Sequence, residues 1–371
     1  MIIFAVTRSD TIGGVHTHIF DLIKSLNLSE KEYKILVGGD KKNIFIQRLN
    51  ELGINYVLCP YLKREISLIN DLKTLNFLIN YFLRIRPTLV WTHSSKAGIL
   101  VRLSTFFLRI PSIFTIHGWS FSSTKNFILR FIYINLERIL INTTNLNILV
   151  SEYDYLLAKK FKIRIKNYRI IHNSSSIILP RKNVRKISGS KSLRFVMVAR
   201  LDKQKDHECV LKAFSLVAKK YKNWKLSFAG EGPLKNKLIG LTNKLGIYEK
   251  VEFLGHVKNI KNLLQNTDIF VLASHWEGFP MTTIEALSSG LPVIISDVCG
   301  SKEAVIDDIN GFIFRESNFL ELANKIEFFL ENPKQIEKKS MLSLRIYDNI
   351  FSFNIFKKKI QKAFNSVISS T

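Results

Sequence analysis

Two doubly wound α/β domains facing each other across a cleft are the fold this sequence predicts, and three observations predict it. Short apolar runs alternate with helix-length amphipathic segments from end to end, the pattern of parallel sheets flanked by helices. That rhythm lapses once, over Asn173 to Ser192, and then restarts. At 371 residues and 46% hydrophobic content, the chain is long enough for each domain to bury a core of its own.

In the first half, strands are expected at residues 2–7, 34–38, 56–58, 89–92, 112–116 and 147–150. Helices lie between them, including a long one over 68–86 that must stop before Pro87. The lapse contains Ser174-Ser175-Ser176, Pro180 and Ser188-Gly189-Ser190, so it reads as a linker over 176–192 between domains spanning 1–175 and 193–350. The second half offers strands at 195–199, 226–229, 251–254, 269–273 and 293–295.

Composition narrows the function classes. The net charge of +25 is spread over both halves rather than gathered in a tail. Such a balance suits nucleic acid, an anionic membrane surface or phosphorylated substrates, while compositional drift toward Ile, Asn and Lys accounts for part of it. Cys59, Cys209 and Cys299 form no CxxC pair, which argues against a disulfide framework or a zinc site and fits a reducing cytosol. The first residues, Met1 to Thr7, have no basic region before their apolar run and read as a strand rather than a signal peptide. The longest apolar tract, Phe127 to Val150, is interrupted by Arg130, Glu137 and Arg138, so no bilayer span is expected.

The chemistry concentrates at strand ends. Glu277 and Glu285 stand with seven residues between them, after the strand-like run Asp268 to Ser274 and around a helix read over 284–289 and closed by Gly290. One carboxylate then sits on a loop and the other on the first helical turn. The backbone N–H groups of residues 280 to 283 are expected to lie unpaired there, a cradle for phosphate. A hydroxyl-rich, anionic ligand such as a nucleotide sugar fits both features. The competing reading is two acidic residues that complement a helix dipole.

Other strand ends add to it. Thr11-Ile12-Gly13-Gly14-Val15-His16 opens a helix with paired glycines, without the GxGxxG spacing of a dinucleotide site. His117-Gly118 follows the fifth strand, placed to donate to a sugar hydroxyl or a phosphate oxygen, or simply to satisfy the core. Arg200 and Lys205 flank the loop before a helix starting near Asp206, where two cations can neutralise a departing diphosphate. Gly230 forms a tight turn with Glu231-Gly232-Pro233, and Gly255-His256-Val257 offers backbone groups to a base edge.

In this order, and above all in the stretch EGFPMTTIEALSSGLPVI, the chain resembles the retaining glycosyltransferases of family 4, which have the GT-B fold of two Rossmann-like domains. The resemblance covers nearly the whole chain. It implies that Glu285 binds the nucleotide ribose and Glu277 the donor sugar hydroxyls. The amides of Phe279, Pro280, Met281, Thr282 and Thr283 would meet the sugar and diphosphate, Arg200 and Lys205 the diphosphate, and Gly230 would belong to the donor pocket. His117 would contact the sugar near the reacting carbon, forming with Glu277 the catalytic pair, and Gly14 would face phosphate or acceptor. No metal is implied, and no convincing Asp-x-Asp occurs. A helix over 351–371 is expected to pack back on the first domain. Asn173-Ser174 stands where relatives usually have Asn-Gly at the hinge, which leaves the geometry there open.

The activity so implied is transfer of a hexosyl or N-acetylhexosaminyl group, with retention, from a UDP-sugar in preference to a GDP-sugar. The acceptor would be a saccharide or a polyprenyl-diphosphate-linked saccharide, in capsule, lipopolysaccharide or exopolysaccharide assembly at the cytoplasmic face of the membrane. The bulky apolar and arginine-bearing segments Ile99–Arg109 and Phe127–Leu140 suit an anionic bilayer interface. They equally suit core-facing helices whose two arginines, Arg102 and Arg109, are solvated. A GT-B-fold nucleotide-sugar epimerase and a non-catalytic basic nucleic-acid-binding protein are the alternatives; the charge alone suggests the latter.

Overall fold

The computed structural model describes residues 1–369 except 8, 11, 64, 66, 125 and 177–191. The linker expected over 176–192 therefore lies, but for its two end residues, outside the described residues, as does Thr11 of the glycine turn. The chain divides into two compact units, Met1–His172 with Asn354–Thr371, and Asn173–Phe353.

Unit 1 holds β1 (Ile2–Val6), β2 (Tyr33–Gly38), β3 (Tyr56–Cys59), β4 (Leu89–Thr92), β5 (Ser112–Ile116), β6 (Leu146–Leu149) and β7 (Tyr168–Ile170). Its helices are α1 (Gly14–Leu26), α2 (Ile44–Glu51), α3 (Leu68–Ile85), α4 (Ser95–Leu108), α5 (Ser120–Ser123), α6 (Phe127–Leu140) and α7 (Glu152–Lys160). The strands form one parallel sheet in the order β3-β2-β1-β4-β5-β6-β7.

Unit 2 holds β8 (Leu193–Val198), β9 (Trp224–Ala229), β10 (Val251–Gly255), β11 (Ile269–Leu272), β12 (Val293–Ser296) and β13 (Gly311–Phe314). Around them lie α8 (His207–Lys220), α9 (Lys235–Lys244), α10 (Ile260–Gln265), α11 (Met281–Ser288), α12 (Phe319–Glu331) and α13 (Pro333–Ile346). Its sheet, also parallel, runs β10-β9-β8-β11-β12-β13.

Helices cover both faces of a parallel sheet, so its strands are apolar throughout rather than alternating. Every residue of β1, β4, β5, β11 and β12 is buried accordingly. The helix ends follow local chemistry. After α3, Arg86 takes a left-handed conformation with φ 48°, and Pro87 bars continuation. The last helix, α14 (Phe353–Ile368), presents Phe356, Ile360, Ala363 and Val367 at helical spacing and buries them in unit 1. Phe356 meets His18 edge-on at 5.7 Å, and Gln361 donates to the Ser25 carbonyl at 3.0 Å.

Two strands were not expected. β7, Tyr-Arg-Ile, is a half-exposed edge strand with no apolar run, and β13 opens on a glycine. Each sheet has one point where strand order reverses, between β1 and β4 in unit 1 and between β8 and β11 in unit 2. Loops leaving those strands diverge to opposite faces, opening a crevice at the carboxyl ends.

Candidate active site

The reversal point of unit 2 brings Lys205 and Glu277 together. Lys205 lies on the loop between β8 and α8, Glu277 on the loop between β11 and α11, and Lys205 Nζ pairs with Glu277 Oε1. Their side chains are 11% and 8% exposed. Ser274 Oγ donates to the same oxygen at 2.7 Å, so among the described residues Oε2 takes no hydrogen bond. Backbone bonds lace the two loops: Asp206 N–H to the Ala273 carbonyl at 3.0 Å and His275 N–H to the Gln204 carbonyl at 2.9 Å. Gln204 Nε2 adds a bond to the Trp276 carbonyl at 2.9 Å. Ser296 Oγ at the end of β12 accepts from Ser274 N–H at 2.9 Å. The pair is thus held by three strand ends, and Glu277 keeps one oxygen for a hydroxyl donor. Arg200 is more open, 36% exposed, and is matched by Asp202 at 3.0 Å.

The start of α11 differs from the expectation in three ways. The helix begins at Met281 with Pro280 as its N-cap, so Glu285 sits one turn further in than the first turn, and it is 8% exposed. Pro280 has no N–H to offer. Thr283 N–H donates back to the Pro280 carbonyl at 3.2 Å. Met281 and Thr282 are left as the leading donors of the helix. Of residues 279 to 283 only Thr282 is not buried. Gly290 closes the helix with φ 67°, as expected.

Gly230 is explained by close approach. It has φ 146°, and a Cβ there would lie 2.0 Å from the Ala199 carbonyl oxygen at the end of β8. It shapes the crevice wall beside Arg200 whatever ligand the crevice takes. Asn173, at the departure from the usual hinge sequence, is 3% exposed and donates from Nδ2 to the Phe279 carbonyl at 2.7 Å, just ahead of α11.

Unit 1 places its candidates at its own reversal point. Gly13 caps α1 in an extended conformation, and its N–H donates to His16 Nδ1 at 3.1 Å. A Cβ on Gly13 would meet nothing within 4 Å, so the turn before Gly14 faces open space. His117 follows β5, and Gly118 after it has φ 104°. The His117 ring stands edge-on to His18 at 4.7 Å, and its Nε2 lies 3.5 Å from His93 Nδ1. Burial, with a smaller contribution from His16, pulls the His117 pKa down to about 3. Burial does the same to His93, well below the usual range, helped by its three histidine neighbours. His117 is therefore held as a neutral imidazole, able to donate or accept a hydrogen bond.

His18 and His93 did not stand out in the sequence. They come from α1 and the end of β4, and only the sheet order brings them to His117. Ring nitrogens of the three lie within 4.8 Å of one another, the one group among the described residues close enough to hold a metal ion.

The arginine-bearing helices need a correction. Arg102 of α4 is not solvated: it is 0% exposed, pairs with Glu137 of α6 at 2.9 Å and lies 4.2 Å over the Phe114 ring. Apolar residues of the same two helices do reach solvent, with Phe107 70%, Phe127 78% and Phe131 66% exposed. Among the described residues no helix is long and apolar enough to cross a membrane.

Two parallel-sheet units, each with its loops gathered at one reversal point, have the architecture of the GT-B fold. Solved structures agree in fold: Anabaena Alr3699/HepE in complex with UDP and glucose gives a TM-score of 0.81 at 19% identity, over 98% of this chain and 99% of that one. Sucrose-phosphate synthase from Thermosynechococcus elongatus gives 0.81 at 15% identity, over 100% and 99%.

The chain belongs to glycosyltransferase family 4. The model described as Glycosyltransferase Family 4 matches residues 12–174, and that described as Glycosyl transferases group 1 matches 180–343. An Escherichia coli relative, UDP-Gal:alpha-D-GlcNAc-diphosphoundecaprenol alpha-1,3-galactosyltransferase, is 32% identical over 83% of this chain and 79% of its own length. The capsular polysaccharide biosynthesis glycosyltransferase CapM of Staphylococcus aureus is 26% identical over 84% and 85%. The protein is an enzyme, a glycosyltransferase, and the non-catalytic nucleic-acid reading falls away.

Proposed function

We propose that this enzyme moves a hexosyl or N-acetylhexosaminyl group, with retention, from a UDP-sugar to a polyprenyl-diphosphate-linked saccharide in surface-polysaccharide assembly. The observation that carries the reading is the buried Lys205–Glu277 pair beside the leading amides of α11. Glu277 Oε2 accepts a donor-sugar hydroxyl. Met281 and Thr282 N–H groups, at the positive end of the helix dipole, and the cations Arg200 and Lys205 receive the diphosphate. Glu285 takes the ribose. The C1–O bond to the β-phosphate breaks as the acceptor oxygen bonds C1 on the same face, and the acceptor proton passes to the leaving phosphate. His117, neutral, hydrogen-bonds the sugar near C1. With charge so compensated, no metal is required.

UDP is favoured because UDP-galactose is named for the Escherichia coli relative and UDP for the Anabaena structure. The lipid-linked acceptor is supported by the diphosphoundecaprenol in the name of that relative and of a Campylobacter jejuni N-acetylgalactosaminyltransferase that is 24% identical over 94% of this chain and 95% of its own length. The exposed phenylalanines of α4 and α6, with Arg109 and Arg130 close by in sequence, suit an anionic bilayer at the cytoplasmic face.

The test is turnover of a panel of UDP- and GDP-sugars with an undecaprenyl-diphosphate-linked saccharide, in EDTA, with the anomeric configuration of the product read by NMR. One UDP-sugar should be consumed to give the donor's own configuration, and Glu277→Ala and Glu285→Ala should suppress it. An inverted product, a GDP-sugar donor or abolition by EDTA would each overturn the corresponding part.

A further inference from the structure

The free edge of the seven-stranded sheet carries a cleft that the transfer chemistry does not use. Among the described residues β3 has a partner only on its β2 side, two strands from the β1–β4 reversal point, and α3 lines the same cleft. The cleft formed there has a volume of about 690 Å³. That lies within the roughly 300–1,000 Å³ of small-molecule sites.

Its helical wall is the stripe Lys73, Asn76, Phe77, Asn80, Tyr81 and Arg84, at the spacing of one helix face. Its amides and cations, Lys73, Asn76, Asn80 and Arg84, are exposed to solvent, with Phe77 half-buried and Tyr81 buried between them. Lys34 of β2 supplies a third cation, and none of the described lining residues is acidic. The phenyl ring of Phe77 and the phenol of Tyr81 lie parallel within 8° at 6.1 Å. Lys73 Nζ stands 5.6 Å over the Tyr61 ring and the Arg84 guanidinium 5.8 Å over that of Tyr81. Asn80 Nδ2 donates to Asn76 Oδ1 at 3.1 Å, leaving an amide NH₂ and a carbonyl oxygen of the pair for vicinal hydroxyls.

Tyr81 links this wall to the core of unit 1, packing with Leu78 and Phe82. Tyr81 is only 6% exposed, yet its hydroxyl has no hydrogen-bond partner. Burial, partly opposed by Arg84, raises its pKa, so it stays a phenol and a donor. Electron-rich ring faces attract the C–H face of a pyranose. Amides read its hydroxyls, and unopposed cations select negative charge.

We propose that this cleft is a second saccharide-binding site, separate from the donor machinery, which holds an acidic glycan segment bearing uronate-type carboxylates. The choice of a glycan rests on the polysaccharide reading above; the geometry of the cleft does not.

The test is isothermal titration of the full chain with tetragalacturonate, with maltotetraose and inorganic pyrophosphate as neutral and non-sugar comparators, and with UDP-induced thermal stabilisation measured alongside. Tetragalacturonate should bind at least tenfold more tightly than either comparator. Lys73→Gln with Arg84→Gln should weaken it at least tenfold, with the UDP response of the wild type. Equal binding of pyrophosphate makes the cleft a plain anion patch, and equal binding of maltotetraose removes the acidic selectivity. Either result overturns the proposal, as does absence of binding or indifference to these substitutions. A wild type that binds tetragalacturonate but ignores UDP would count against the donor reading and not against the cleft.

Discussion

Lys205 and Glu277 are 72 residues apart in sequence and form one nearly buried ion pair, with Ser274 Oγ donating to the same carboxylate oxygen at 2.7 Å. Removing one partner strands the other charge, which costs about 3–5 kcal/mol for a buried pair. Lys205→Ala should therefore lower the stability of unit 2 by about 3 kcal/mol, since Ser274 still serves Glu277, and cut kcat/KM by roughly a hundredfold. Lys205→Met with Glu277→Leu should recover much of the stability and none of the activity. Urea unfolding beside steady-state kinetics separates the two effects.

Arg102 and Glu137 repeat the arrangement away from any proposed chemistry. Glu137→Ala should destabilise by about 3–5 kcal/mol by leaving a guanidinium buried over Phe114. Arg102→Met with Glu137→Leu should approach the wild type in urea midpoint, with transfer activity per folded molecule unchanged.

Three histidines held below their usual pKa set an acid limit. His117 is lowered to about 3, His207 to about 4, and His93 well below the usual range, in each case chiefly by burial. Unfolding frees them to titrate near 6.5, so the unfolded chain binds protons that the folded chain refuses. Their stabilising contribution is intact above pH 6.5 and is lost as pH falls toward 3 to 4. At pH 5 His117 and His207 each cost roughly 2 kcal/mol relative to pH 7. Thermal melts between pH 7.5 and 5 should show a steady fall, blunted in His207→Phe if that variant folds. The pH–rate profile should show no limb from His117 near 6.5.

Gly230→Ala drives a Cβ into the Ala199 carbonyl at a φ that side chains rarely adopt. It should cost about 2 kcal/mol or more and weaken UDP binding, because Arg200 follows Ala199 directly. Differential scanning calorimetry with and without UDP reads both.

The phenylalanines of α4 and α6 should anchor the enzyme to anionic vesicles. Phe107→Ser with Phe127→Ser and Phe131→Ser should abolish co-sedimentation at low salt while leaving the melting temperature within a few degrees. Retained binding would leave charge alone as the attraction.

How much of this was legible follows from what each feature depends on. Strands buried on both faces write themselves as unbroken apolar runs, so β1, β4, β5, β11 and β12 could be read directly, whereas the half-exposed β7 could not. Pro280 and the β-branched Thr282 and Thr283 disguised the first turn of α11, which set Glu285 too close to the helix end. Arg102 read as solvated because nothing local announces a partner 35 residues away. His18 and His93 were invisible beside His117 for the same reason: the parallel order of β1, β4 and β5 brings them together, and no spacing in sequence encodes that.

The return of α14 to unit 1 bears on the order of synthesis. Residues 173–353 form one unbroken stretch that can complete its own core as it emerges from the ribosome. Unit 1 is made first and finished last, because the surface of α1 that meets Phe356 and Gln361 stays bare until the final helix is translated. A fragment ending at residue 172 would carry that bare surface permanently. Of the two, only unit 2 can be cut from the gene as a single continuous segment.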